Sequence, residues 1–158
     1  MSFYQEMSYK EKSVWVSFAV MLAIWVSYFN DVISLHGSQA LTVDAIHSLL
    51  LKVVILTIVA EIVMQIIVAI IDHKQANDKD DERDKLITLY GKRNAYSILV
   101  IGVFAAVFQI IVPTLFERGS LTLNLPNEYF ILHVIILSTV MAETVNASTR
   151  LFYYRRGL

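Results

Sequence analysis

The sequence predicts an all-α fold, a bundle of four transmembrane helices with both termini in the cytoplasm. Three observations carry that prediction. Hydrophobic residues make up 56% of the 158-residue chain and charged residues only 17%, against roughly 25% in ordinary soluble domains. The apolar residues fall into four runs, near 13–35, 46–71, 94–116 and 129–152, and about 20 residues suffice for one helical crossing. Lysine and arginine gather on one side of those runs. The length suits one integral membrane domain over 1–158, and the runs lack the alternation of a membrane β-barrel.

The first run, Ser13–Leu35, follows Lys10 and Lys12. Its apolar core is too long for a secretory signal, so a retained helix is expected. The second, Ile46–Ile71, and the third, Asn94–Phe116, flank a polar stretch over 72–93 that holds six basic residues. The fourth, Tyr129–Phe152, leads into Arg155 and Arg156. The N-terminal tail, the 72–93 loop and the C-terminal end together hold eleven Lys and Arg, and the other two loops only Arg118. That bias places both termini and the 72–93 loop in the cytoplasm, as in a multi-pass protein of the inner membrane. Tyr9, Trp15, Tyr28, Tyr90, Tyr96, Tyr129, Tyr153 and Tyr154 supply the aromatic belt at the helix ends.

The halves resemble each other. The run from Tyr9 matches the run from Tyr90 at an offset of 81, and Glu61 and Glu143 are 82 apart. Both halves read in–out–in, as a parallel repeat of two helices would. Within the 72–93 loop, Asn77 or Asp78 is expected to cap a short helix, and Gly91 to let the chain turn upward; a solvated linker is the plainer reading. The stretch Asp81–Tyr96, "DERDKLITLYGKRNAY", resembles the lead-in of a family of small bacterial multi-pass membrane proteins of unknown function. There, Asp-Glu-Arg precedes an apolar–basic stretch that runs into a helix. The resemblance implies a prokaryotic multi-pass protein and assigns no catalytic residue.

Glu61 and Glu143 each sit deep inside an apolar run. At about 100° per residue, Thr57, Glu61 and Gln65 share a stripe that Asp72 continues. In the fourth helix the stripe is Thr139, Glu143, Asn146 and Arg150. A charged carboxylate at bilayer depth costs at least about 2.5–3.5 kcal/mol, so each stripe should face protein rather than lipid. The acid can bind a proton and become neutral, or pair with a cation, for which Arg150 is the candidate. Ala19, Ala23 and Ser27 in the first helix, and Gly102 and Ala106 in the third, have the small-residue spacing of close helix packing. Gln109 shares the Gly102 face and could donate to a glutamate.

Other chemistry is poorly served. Cysteine is absent, and with it disulfides, thiolate metal sites and thiol nucleophiles. A net charge of −1 argues against a nucleic-acid surface. His36 and His47, with Asp31 and Asp44 near them, form no helical ligand pair, and His133 lies about 80° round the helix from Glu143. No metal, cofactor or enzyme motif is expected. Lys52 is expected to snorkel toward Asp44 or lipid headgroups.

Two functions fit these features. One is a small transporter or channel, a homodimer or larger homo-oligomer in the lipid bilayer. Its proton- or cation-binding residues would be Glu61, Glu143, Gln65, Asn146, Thr57, Thr139 and Gln109. Protonated acids serving only as interhelical hydrogen-bond glue are its bland counterpart. The other function is a regulatory or assembly protein that docks a cytoplasmic protein partner through Asp81, Glu82, Arg83 and Asp84 in the 72–93 loop.

Overall fold

The computed structural model describes residues 7–38, 40, 42–71, 81–116 and 127–156. They form four helices, α1 (Tyr9–Gly37), α2 (Val43–Ile71), α3 (Glu82–Phe116) and α4 (Asn127–Arg156). All four are long and apolar enough to cross a membrane. Of the most apolar 18-residue stretch of each, no more than 11% is buried. Ile70, Ile33 and Phe104 are 70%, 68% and 61% exposed. Water would penalise that surface by about 25 cal/mol per Å² of apolar area, and acyl chains do not. The chain is thus built as a multi-pass membrane protein, all-α as predicted.

The helix ends follow local chemistry. The Ser8 hydroxyl accepts the Glu11 N–H at 3.2 Å and caps α1. Thr42 Oγ1 does the same for Ala45 N–H at 3.2 Å before α2. Asp81 starts α3: its carboxylate takes the Glu82 N–H at 2.7 Å and its carbonyl the Lys85 N–H at 3.1 Å. Glu82 and Asp84 then lie in the first turn, where the helix dipole favours acids.

The largest departure from expectation is the start of α3. Residues 82–93, expected in the loop, are helical and continuous with the apolar span. Gly91 is not a turn. It is buried within α3, and a Cβ there would meet Asn146 and lie 2.8 Å from Arg150 Cγ. Glycine allows α4 to pass close. Asn77, Asp78 and Asp72 lie outside the described residues.

The chain divides into two compact units, Met1–Asp80 and Asp81–Leu158. In the first unit, α1 packs on α2 as an antiparallel hairpin, with Val14 and Tyr28 buried against a stripe containing Ile46, Val53 and Val68. Ala19, Ala23 and Ser27 are exposed, so the small-residue face of the first helix is not the one that α1 turns to α2. In the second unit, α3 and α4 form the other hairpin. Ile87, Ala95, Gly102 and Ala106 face Ser138, Ala142 and Leu151 across a close seam. There the small-residue reading of Gly102 and Ala106 holds. Tyr90 and Tyr153 stack with centroids 5.2 Å apart at one end of that seam.

Candidate functional site

The polar cluster of the first hairpin is assembled from both helices. Ser17 Oγ donates to Glu61 Oε1 at 2.6 Å. Gln65 Nε2 donates to the same Oε1 at 3.1 Å and to Ser17 Oγ at 2.6 Å. Ser13 Oγ donates to Gln65 Oε1 at 2.8 Å. Every donor in this chain leads toward Glu61, which as a carboxylate is purely an acceptor. Both bonds end on Oε1. Glu61, Gln65, Ser13 and Ser17 are all half-buried.

The expected stripe of α2 is therefore real for Glu61 and Gln65. Thr57 contributes differently, since its hydroxyl bonds back to the Val53 carbonyl at 2.7 Å within its own helix. Ser13 and Ser17 are missing from the candidates that the sequence suggests. It does carry a signal for them: two hydroxyls four residues apart lie on one face of α1. Nothing in an isolated helix says that this face, and not the Ala19 face, meets α2.

The second hairpin does not repeat the arrangement. Glu143 is exposed, and its hydrogen bond runs along its own helix, from Asn146 Nδ2 at 3.1 Å. Thr139 is also exposed and bonds back to the Ile135 carbonyl at 3.0 Å. The reason lies in the offsets. At the offset of 81 that relates the leading helices, Thr57, Glu61 and Gln65 correspond to Ser138, Ala142 and Asn146. Ser138 and Ala142 are the buried seam of α4, and Asn146 lies over Gly91. Glu143 stands one residue further on, which turns it about 100° away from the seam.

Arg150, the cation expected to pair with Glu143, lies instead against Gly91 and beside the Tyr154 hydroxyl, which also neighbours Asp84. Its Nε is buried with no hydrogen-bond partner among the described residues, as is Nε2 of Gln109, so that amide does not donate to Glu143. Arg83 Nη2 reaches the Tyr154 carbonyl at 3.5 Å, while Asp81 and Glu82 are exposed. The Asp81–Asp84 segment is thus the first turn of a helix, partly tied to the end of α4. His133 is engaged with the Tyr129 carbonyl at 2.6 Å. Among the described residues, no three His, Asp or Glu side chains gather closely enough to hold a metal.

No protein-family model, curated protein or solved structure matches this chain.

Proposed function

We propose that the protein is a small oligomeric transporter or channel of the cytoplasmic membrane, with both termini inside and Glu61 as its proton- or cation-binding group. The observation that carries this reading is the Ser13–Gln65–Ser17–Glu61 chain. It sets an acid ten residues inside the Ile71 end of α2, about 15 Å deep at 1.5 Å per residue, near the middle of a ~30 Å hydrocarbon slab. Interhelical hydrogen bonds in membranes contribute only about 0.6 kcal/mol on average. That is a small return on an acid costing several times more, and an amide would hold the helices as well. A group that must change protonation justifies the carboxyl.

Glu143 completes the pair in this reading. It lies thirteen residues from the Arg156 end of α4, also deep. Being exposed on its hairpin, it needs a protein surface from outside that hairpin, which favours assembly into an oligomer. The test is flux in proteoliposomes under imposed proton and cation gradients. Wild-type protein moves protons or a monovalent cation, and Glu61→Gln stops it while leaving the helical content unchanged. Wild-type vesicles as tight as protein-free ones would end this reading.

A second reading rests on the exposed carboxylates of Asp81 and Glu82 at the start of α3. They would dock a basic cytoplasmic protein, and the helices would serve as anchor. Neutralising both would then abolish partner capture and leave flux untouched.

A further inference from the structure

The seam between α1 and α2 holds a second polar place, away from Glu61. Beyond Tyr28, toward the loop that joins the helices, it opens into a cleft of about 80 Å³. Asp31 stands on the α1 side and Lys52 on the α2 side, with Ser27 and Tyr28 between them and Leu49 and Leu56 along the wall. Both charges are exposed. Asp31 lies six residues inside the Gly37 end of α1, and Lys52 nine inside the Val43 end of α2. These are distances of about 9 and 14 Å along the helices, and measured from the Ile71 end, as for Glu61, Lys52 lies about 29 Å along α2, at the far face of a ~30 Å slab. Lys52 and Asp31 line the cleft from opposite helices.

We propose that this cleft binds a phosphodiester carrying a primary ammonium, the headgroup chemistry of an ethanolamine phospholipid. The ammonium sits on the Asp31 carboxylate and the phosphate on the Lys52 ammonium. Opposite charges on opposite walls match a zwitterion and would repel neither end of it. The cleft is partly open to its surroundings, and its apolar wall of Leu49 and Leu56 runs down the helix as an acyl chain does. A primary ammonium has three N–H donors for Asp31 and the Ser27 hydroxyl. A quaternary ammonium has none, so choline lipids should bind more weakly.

Trp25 reports on the site, because its ring packs edge-on against Tyr28 at 5.6 Å. With Trp15→Phe removing the other tryptophan, Trp25 emission is quenched by brominated phospholipids mixed into nanodiscs. Brominated ethanolamine lipid should quench at about ten-fold lower mole fraction than brominated choline lipid, the lower end of what one charge-assisted hydrogen bond contributes. Asp31→Asn should erase the preference, and Lys52→Gln should weaken quenching by both lipids alike. Asp31→Glu, which keeps the carboxylate, should retain the preference, which separates lost recognition from lost folding. Glu61→Gln should leave the preference intact even if it abolishes flux, so this proposal and the transport reading fail independently. Equal quenching by the two lipids, or a preference that survives Asp31→Asn, overturns the proposal. Competition by soluble glycerophosphoethanolamine as effective as that of the lipid would overturn the lipid assignment in favour of a free solute.

Discussion

Ser17 and Glu61 are 44 residues apart in sequence and share a 2.6 Å hydrogen bond between two membrane-length helices. The pair couples the packing of α1 on α2 to a deep acid of that seam. Any change in the charge of Glu61 is therefore felt by α1 through the Ser17 hydroxyl.

Ser17→Ala should weaken the first hairpin modestly. The lost interhelical bond is worth about 0.6 kcal/mol, and no more than about 1.7. Glu61→Gln keeps an acceptor for Ser17 and should be close to neutral, whereas Glu61→Leu strands both Ser17 and Gln65 and should cost more. Reversible unfolding in mixed micelles reads all three. Equal stability of the Leu and Gln variants would argue that the network contributes nothing to the hairpin.

Gly102 is the tightest point of the α3–α4 seam, where a Cβ would overlap the Ser138 side chain. Gly102→Ala should destabilise the second hairpin by about 1–3 kcal/mol, the usual effect of overpacking. Ser138→Gly should relieve much of that loss in the double variant, since the overlap is chiefly with Ser138 Oγ and Cβ. A double-mutant cycle with no coupling would contradict the contact.

The helix runs through Gly91 without a break. Backbone amides of 86–93 should therefore exchange slowly with deuterium, as those of a helix do, and not at loop rates. Fast exchange confined to that stretch would restore the loop expected from the sequence.

Exposure separates the two acids. Dicyclohexylcarbodiimide, a lipid-soluble reagent for protonated carboxyls, should modify Glu143 before Glu61, which is half-buried beneath Ser17 and Gln65. Peptide mass spectrometry over a time course gives the order. Oligomers that cover Glu143 should slow its labelling relative to protein dispersed in excess detergent, and unchanged labelling would count against assembly on that face.

Much of the fold is legible in the amino-acid sequence. Hydrophobicity places the four spans within a few residues except at the start of α3, where the polar composition of 82–93 masks a helix. Its residues are ordinary helix formers, but six charges among them read as a loop when hydrophobicity marks the boundary. The stripe of Glu61 with Gln65 follows from helical spacing and is present in the fold. The match to Glu143 rests on residue identity, and a single residue of register undoes it.

Composition and run length alone determined that this is a membrane protein with four helical spans and two deep acids, because transfer of a segment into hydrocarbon depends on what it contains. Which face of each helix meets a neighbour was decided only by tertiary structure. The Ser17 face was chosen over the Ala19 face, Ala142 over Glu143, and Gly91 became a crossing point and not a bend. Each choice turns on rotations of about 100° per residue and on side-chain fit between helices, and an apolar run looks the same from every side.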